Sequence, residues 1–338
     1  MKFGILATPI WDKTTEPAIQ LREHRELVEL ARDLGFDMVV AGQHFLGTEL
    51  RYYQPVPYLT HLSQFAPNME MVIGIILLSL VNPIETAEQV ATLDVVTGGK
   101  AILGLGLGYS DHEFKAFGIQ KSSRVRRFEE NLSLIKTLWS GEEVNFRGQD
   151  SLIENITPCV LPVRQPRPPI WIGGQGEQAV RRAARLSDAW YAPPFVTHKG
   201  MVRLRNIFLE ESATYGMPLN GDFPLRRELM IAPSINKARQ MALKWSEARY
   251  KTYLKWGLGK KLDRDTAGFG SQEQEAIDSR FILGTADICA EKIKEMQVNL
   301  GMTHFMYKAH WPGVPHSESM KQLESFGAKI IPQVRRKN

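Results

Sequence analysis

The sequence has almost no cysteine. Cys159 and Cys289 are the only two in 338 residues, which is too few for a disulfide framework or a cysteine-based metal site. Long apolar runs are also missing: no stretch of about 18 uncharged apolar residues occurs, so no membrane-spanning helix is predicted. The N-terminus, MKFGILATPIWDK, reads as a strand and lacks the apolar region and cleavage site of a signal peptide, which predicts a cytoplasmic protein.

A strong charge of one sign is missing as well. The chain has 42 basic and 37 acidic residues, and its net charge of +5 is scattered. Two basic clusters, at residues 124–127 and 181–185, fall on predicted helices, and we interpret them as solvated helix faces rather than a nucleic-acid surface. We therefore expect neither a nucleic acid nor a membrane as a partner.

Signals for two further kinds of chemistry are absent. No pair of acidic residues stands out for glycoside hydrolysis. His44, His112 and His310 lie on different predicted loops without a metal-ligand spacing, so no metal site is expected.

The most informative stretch is residues 71–118. An apolar run, typical of a strand buried on both faces, leads to Asn82-Pro83, an N-cap followed by a proline at the first helical position. The helix ends at Gly98-Gly99, and a second apolar run starts at Ala101. Strand, helix and strand in this order predict a right-handed parallel crossover unit.

The same alternation continues along the chain. Eight strand–helix pairs without an internal linker favour one domain over residues 1–338, an α/β fold built as an eightfold (β/α) TIM barrel, rather than an open doubly wound sheet. The predicted strands are 2–8, 36–41, 71–80, 101–105, 170–172, 188–191, 228–232 and 303–307. Insertions are expected near 142–168 and 257–282, the second as a loop or lid that closes over the site.

The strand ends of such a barrel carry its active site, so position selects the candidates. The residues predicted there are rich in aromatics and poor in carboxylates, which fits a planar aromatic ligand or cofactor. His44 ends the second strand, where an acid/base role and a structural hydrogen-bonding role are equally compatible with the sequence.

Two glycine-rich segments follow predicted strands. Gly104-x-Gly106-x-Gly108 lacks dinucleotide-binding spacing, and a cofactor floor and a curved barrel strand explain it equally well. Gly173-Gly174-Gln175-Gly176 ends a strand and opens a helix, which favours a phosphate site over a plain tight turn.

A resemblance to a known family covers nearly the whole chain. It is carried by motifs that occur in order, among them GQHF at 42–45, NPIETAEQVATLD at 82–94, GLGLGY at 104–109, LWSG at 138–141, PPIWIGG at 168–174 and AARLSD at 183–188. With these motifs the chain resembles the bacterial luciferase-like flavin-dependent monooxygenases. The resemblance implies an eightfold barrel, usually dimeric, that binds reduced FMN or a deazaflavin at its strand ends.

The resemblance also implies roles for individual residues. His44 corresponds to the histidine that luciferases need for turnover, and Gly74-Ile75 to a non-proline cis peptide behind the flavin ring. Tyr109 lies where the backbone meets the flavin, and Gly173, Gly174, Gln175 and Gly176 match the loop that holds the phosphate. Two positions depart from the luciferases: Gln43 replaces a glutamate, and Leu107 replaces a phosphate-binding arginine.

The activity implied by the resemblance is oxidation of a small organic substrate by O2 and reduced FMN, which a separate flavin reductase supplies. His44 would be the acid/base, and Trp11, Phe45, Tyr191 and Trp311 would line the substrate side. Two alternatives stay open: a deazaflavin-dependent oxidoreductase that transfers hydride without O2, and a non-catalytic flavin-binding barrel.

Overall fold

The structure, a computed structural model, describes residues 1–8, 10–216, 221–258 and 274–336. Its strands are β1 Lys2–Leu6, β2 Ile10–Asp12, β3 Met38–Ala41, β4 Leu50–Tyr52, β5 Glu70–Leu77, β6 Ala101–Gly106, β7 Val144–Arg147, β8 Leu152–Ile156, β9 Ile170–Gly173, β10 Ala189–Tyr191, β11 Pro224–Arg226, β12 Glu228–Ile231, β13 Phe281–Gly284 and β14 His304–Tyr307. Its helices are α1 Pro17–Asp33, α2 Pro55–Ser63, α3 Pro83–Val96, α4 Asp111–Ala116, α5 Arg124–Leu138, α6 Glu177–Leu186, α7 His198–Thr214, α8 Ile235–Lys255, α9 Gln274–Asp278, α10 Ala286–Leu300, α11 His316–Ser325 and α12 Ile331–Arg335.

Eight parallel strands form the central sheet, in the order β10-β9-β6-β5-β3-β1-β14-β11. The two end strands approach each other through a parallel bridge between Ala192 and Leu225, where the Ala192 N–H donates to Pro224 and the Arg226 N–H to Ala192. The sheet is therefore nearly closed into a barrel with helices around it. The predicted α/β eightfold barrel is confirmed.

The strands of the barrel are buried on both faces, as their apolar runs predict. Val40 and Val72 pack inside the barrel with Ile102, whereas their neighbours Val39 and Ile73 belong to the larger core between sheet and helices. Successive side chains of a strand point to opposite faces, so each strand needs apolar residues at every position.

The predicted start of α3 is confirmed. The Asn82 side-chain oxygen accepts hydrogen bonds from the N–H groups of Ile84 and Glu85, and Pro83 occupies the first turn, where a missing N–H costs nothing. Gly98 and Gly99 follow the helix with φ of +65° and +83°, the left-handed region that glycine adopts without strain.

Two predictions near the C-terminal half were wrong. The seventh barrel strand is Pro224–Arg226, not 228–232, and the later segment instead pairs with β13 in a separate two-stranded sheet. Helix α9 lies inside the stretch 257–282, which the sequence predicts as an irregular loop, and strand β13 begins inside it. Residues 259–273 of that predicted lid lie outside the described residues.

The first predicted insertion contains a hairpin, in which β7 and β8 pair antiparallel between residues 144 and 156. A second antiparallel pair, β2 with β4, was not predicted, because each strand has only three residues. Among the described residues, no helix is long and apolar enough to cross a membrane.

Candidate active site

A cavity of about 880 Å³ opens where the parallel strands end. Residues just beyond the C-terminal ends of strands β1, β3, β6 and β9 line it: Thr8, Gly42, Leu107 and Gly174. Tyr191 and Arg226, the last residues of β10 and β11, line it as well. This is the face at which barrels of parallel strands carry their active sites.

The floor of the cavity is formed by close backbone contacts between β5 and β6. Strand pairing shifts between Ile73 and Ile76, and the intervening Gly74–Ile75 peptide bond is cis, as the family resemblance implies. A Cβ on Gly106 would lie 2.2 Å from the Ile75 Cδ1, and one on Gly104 would lie 2.2 Å from the Ile73 carbonyl oxygen. Both glycines therefore let two strands approach each other under the cavity.

One end of the cavity is built by the segment Gly173–Gly176 and the start of α6. The chain leaves β9 at Gly173, passes Gly174 and begins the helix at Glu177, with Gly176 as the N-cap residue. A Cβ on Gly174 would lie 2.5 Å from the Ala179 Cβ, so a side chain there would collide with the first turn. The first backbone N–H groups of a helix lack partners within it and favour an anion.

Two arginines that were assigned to solvated helix faces line this same cavity. Arg124 starts α5, and Arg182 lies on α6, where its Nε donates to the Glu129 carboxylate at 3.0 Å. Burial, together with the Arg182 cation, lowers the pKa of the Arg124 guanidinium, and Asp111 partly offsets this. Within the described residues Arg124 makes no ion pair, so a bound anion would relieve the repulsion between the two cations.

The interpretation of residues 124–127 and 181–185 as solvated faces was thus incomplete. Arg126 and Arg127 do pair with Asp150 outside the cavity lining, and Arg181 pairs with Glu177 at its edge. The sequence alone did not show which member of each cluster faces inward.

His44 also lines the cavity, and a buried carboxylate holds it. Its Nδ1 lies 3.2 Å from Oε1 of Glu113 on α4, and the same oxygen accepts the Phe45 N–H at 2.8 Å. Glu113 is only 2% exposed, and its Oε2 has no hydrogen-bond partner among the described residues. Sequence reasoning named no role for Glu113, although it stands only four residues after Tyr109.

Aromatic rings surround the His44 imidazole. Ring centroids lie 5.1 Å away for Tyr52, 5.8 Å for Tyr109, 5.7 Å for Tyr253 and 4.9 Å for Trp256. Such a shell removes water from the imidazole and leaves Nε2 as the nitrogen that can exchange a proton with a ligand.

Two cavity tyrosines carry hydroxyl groups that lack a partner among the described residues: Tyr109 and Tyr191. Burial raises the pKa of Tyr191 to about 12 and raises that of Tyr109 further, although Arg226 and Arg249, respectively, oppose the shift. Both therefore stay neutral near pH 7 and present a hydroxyl donor to a ligand.

Gln43, which departs from the luciferase pattern, forms hydrogen bonds with neighbouring segments of the chain. Its side-chain oxygen accepts the Leu77 N–H at 2.9 Å, and its amide nitrogen donates to the Gln54 side chain at 2.6 Å. These two bonds fix the segment that carries His44 against the end of β5.

The predicted site residues divide into two groups. The cavity brings together His44, Gly74, Ile75, Tyr109, Gly173, Gly174, Gln175, Gly176 and Tyr191. Trp11, Phe45 and Trp311 lie elsewhere in the described structure: Trp11 packs between His24 and His310, Phe45 packs on Phe117, and Trp311 stacks on Phe281. No cluster of potential metal ligands occurs in the described ranges.

Comparison with known proteins places the chain in a family of oxidoreductases. The family model of the luciferase-like monooxygenases matches residues 1–304. A phthiodiolone/phenolphthiodiolone dimycocerosates ketoreductase of Mycobacterium kansasii is 36% identical over 111 residues, which are 32% of this chain and 30% of the relative. An FMNH2-dependent dimethylsulfone monooxygenase of Pseudomonas putida is 29% identical over 174 residues, which are 50% of this chain and 47% of the relative. The chain thus spans half or less of the length of these two curated relatives.

Solved structures show the same fold over whole chains. Monooxygenase RslO1 of Streptomyces bottropensis matches with a TM-score of 0.84 at 22% identity, over 98% of this chain and 99% of its own. The oxygenating constituent of 3,6-diketocamphane monooxygenase from Pseudomonas putida, in complex with FMN, matches with 0.81 at 16% over 99% of both chains. An F420-dependent secondary alcohol dehydrogenase matches with 0.79 at 16%, also over 99% of both. The family match extends over most of the sequence, and the chain belongs to the luciferase-like monooxygenase family.

Proposed function

We propose that the protein is a flavin-dependent monooxygenase that uses reduced FMN and O2 to oxidise a small organic substrate. The observation that carries this proposal is one cavity with three parts: a cationic, glycine-lined end, a flat glycine floor, and the His44–Glu113 pair. A phosphate, a planar ring and a reacting group need these three parts in one place.

The residues present fit FMN. The backbone N–H groups of Gly173–Gly176 and the cations of Arg124 and Arg182 would hold its phosphate. The floor of Gly74, Ile75 and Gly106 leaves room for a ring, since an added Cβ at Gly106 would push into Ile75. The two arginines would take the place of the arginine that luciferases carry at position 107.

When bound, reduced FMN supplies the electrons and the site at which O2 reacts. The chain's own residues supply the surroundings of that reaction. Glu113 orients the His44 imidazole at Nδ1, so that Nε2 can give or take a proton. Tyr52, Tyr253 and Trp256 keep water away from it.

A deazaflavin-dependent oxidoreductase is the second candidate. The His44–Glu113 pair favours it, because adding hydride to a carbonyl requires a nearby group that protonates the oxygen. Leu107, which leaves the phosphate end without the luciferase arginine, is compatible with either cofactor.

Cofactor titrations test both candidates. First, the protein is titrated with FMN and with F420 while the fluorescence of the cofactor is followed. O2 uptake is then measured with the reduced form of whichever cofactor binds more tightly, in the presence of cyclohexanone as a test substrate that carries a carbonyl group. Tighter FMN binding with substrate-dependent O2 uptake supports the monooxygenase. Tighter F420 binding, with ketone reduction but no O2 uptake, would favour the deazaflavin-dependent oxidoreductase instead. Cofactor binding without O2 uptake or ketone reduction would indicate the non-catalytic barrel. If neither cofactor binds, all three functions are refuted.

The proposal extends to partners. A separate flavin reductase would deliver reduced FMN, and the chain would act as a single-domain homodimer. Oxygen uptake that starts only when a flavin reductase and NADH are added, and a mass of twice 38.3 kDa by light scattering, would support these two statements.

A further inference from the structure

Two tyrosine side chains beside His44 form a second hydrogen-bonded pair in the cavity. The Tyr52 hydroxyl donates to the Tyr253 hydroxyl at 3.1 Å, and both residues line the cavity. A hydroxyl has one hydrogen to donate, so Tyr253, as the acceptor, keeps its own hydrogen for a bond to a ligand. Tyr52 comes from strand β4 and Tyr253 from helix α8, so this bond links two elements outside the barrel strands.

Positive charge is concentrated behind Tyr253. Arg249, one helical turn earlier, is fully buried, and its guanidinium carbon lies 4.9 Å from the Tyr253 ring centroid. Glu228 pairs with both Arg249 at 2.7 Å and Arg226 at 3.0 Å. The single negative charge of Glu228 thus balances only one of the two arginine charges, and a net positive charge lies next to the Tyr253 phenol.

This charge distinguishes Tyr253 from the other tyrosines in the cavity. Burial opposes its ionisation, but the Arg249 and Arg226 cations outweigh burial, and the pKa of Tyr253 is lowered. The pKa values of Tyr52, Tyr109 and Tyr191 are all raised, mainly by burial. Near neutral pH, Tyr253 is therefore the strongest phenolic acid among these four.

We propose that Tyr253 is a second proton donor and acceptor of the active site, which acts on the oxygen of a carbonyl-bearing substrate, with Tyr52 and Arg249 as positioning residues. The proposal rests on the proposed function of the same cavity and holds for either cofactor. As electrons reach the carbonyl carbon, its oxygen gains negative charge and takes the Tyr253 proton. The O–H bond of Tyr253 breaks, and a new O–H bond forms on the substrate oxygen. The resulting Tyr253 phenolate is stabilised by the hydrogen bond from Tyr52 and by the nearby Arg249 cation. A proton from solvent then restores the phenol.

The first test needs no turnover. Ultraviolet absorbance of tyrosinate is followed against pH in the wild type, Tyr253→Phe and the control Tyr250→Phe, which lies on the same helix near Arg249 but outside the cavity lining. The wild type and Tyr250→Phe should show one tyrosine that ionises before the exposed ones, and Tyr253→Phe should lack that step. Circular dichroism checks that each variant is folded.

The titratable and charged groups around Tyr253 are His44, Tyr52, Tyr109, Arg226 and Arg249, so the step should also move when one of them changes. Glu228 and Lys308 lie behind the two arginines and act on Tyr253 through them. Arg249→Lys keeps a cation but loses the planar guanidinium, and it should shift the step to higher pH without removing it. An early step that persists in Tyr253→Phe would overturn the proposal.

The second test measures turnover with cyclohexanone and the cofactor that the titrations select. Tyr253→Phe should lower kcat roughly 10²- to 10⁴-fold, as expected for loss of a general acid, and change KM little, while Tyr250→Phe keeps wild-type values. The alkaline limb of the wild-type kcat profile should disappear in Tyr253→Phe. Unchanged kcat in Tyr253→Phe would overturn the proposal. If the wild type is inactive with both cofactors, the proposed function is refuted instead, and the absorbance titration alone then tests the role of Tyr253.

Discussion

The His44 imidazole is held at one nitrogen by a buried carboxylate, and its other nitrogen has no hydrogen-bond partner among the described residues. This is the arrangement of a positioned acid/base group. The Glu113 oxygen that contacts Nδ1 also accepts the Phe45 N–H, so the backbone fixes the carboxylate before the histidine uses it. This makes the pair a rigid unit rather than a chance surface contact.

We predict that His44→Ala keeps FMN binding and loses most turnover. Removal of a general acid/base costs about 10²- to 10⁴-fold in kcat, whereas the phosphate end that anchors the cofactor is built by other residues. Fluorescence titration gives binding and O2 uptake gives turnover. The control is His61→Ala, because His61 is a half-buried histidine on α2 outside the cavity lining. Wild-type turnover in His44→Ala would remove His44 from the mechanism.

A second prediction separates the phosphate from the ring. Arg124→Gln and Arg182→Gln should each weaken FMN binding about 10- to 100-fold, since a hydrogen bond to a charged group is worth about 1.5–3 kcal/mol. Riboflavin, which lacks the phosphate, should bind both variants as it binds the wild type.

The matched control is Arg126→Gln, because Arg126 lies on the same helix but pairs with Glu130 and Asp150 outside the cavity. It should bind FMN like the wild type. Equal losses for FMN and riboflavin in Arg124→Gln would mean that this arginine supports the ring or the fold rather than the phosphate.

At the scale of single elements, β6 contains two glycines, Gly104 and Gly106, that face different parts of β5. A Cβ on Gly104 would lie 2.2 Å from a backbone oxygen, that of Ile73, which cannot move without breaking strand pairing. A Cβ on Gly106 would meet only the terminal methyl of Ile75, which can rotate away into the cavity.

We therefore predict opposite outcomes for two alanine substitutions. Gly104→Ala should lower the free energy of unfolding by about 1–3 kcal/mol or more, the usual cost of overpacking a core. Gly106→Ala should unfold much like the wild type but bind FMN more weakly, because the Ile75 side chain is displaced into the floor. Urea unfolding and fluorescence titration measure the two effects, and a stability loss in Gly106→Ala as large as that in Gly104→Ala would contradict this division of roles.

The bounds of a helix or strand could be predicted where several sequence features marked the same position. Asn82, Pro83 and the Gly98-Gly99 pair bounded α3 correctly, because cap, first turn and stop are local properties of the chain. The seventh strand was misplaced because β11 has only three residues, and the longer apolar run just after it looked like the better strand.

At the scale of the whole molecule, the barrel explains why part of the site could be predicted. Strand ends meet at one face, so position alone brought His44, Tyr109 and Gly174 together. It could not identify Arg124 or Tyr253, because they come from helices whose facing side depends on packing. Trp11 was misplaced for a related reason: it lies shortly after β1, but within β2 its ring packs into the core between His24 and His310.

Buried histidines give the folded protein a pH dependence. Burial lowers the pKa of His310 to about 3 and that of His304 to about 4, while the pKa of His24 is also lowered, first by burial and then by His310. In the unfolded chain these groups have pKa values of about 6.5, so between about 6.5 and 4 the unfolded state binds protons that the folded state does not.

We predict that stability falls as pH drops below about 6.5, with each of these histidines contributing about 1.4 kcal/mol per pH unit. Urea unfolding at several pH values between about 7 and 5 measures the slope. His310→Gln should reduce that slope by the share of one histidine whatever its effect on stability at pH 7, because glutamine does not titrate. An unchanged slope in His310→Gln would show that His310 is protonated in the folded protein, and the stack of Trp11, His24 and His310 would then have to carry a charge.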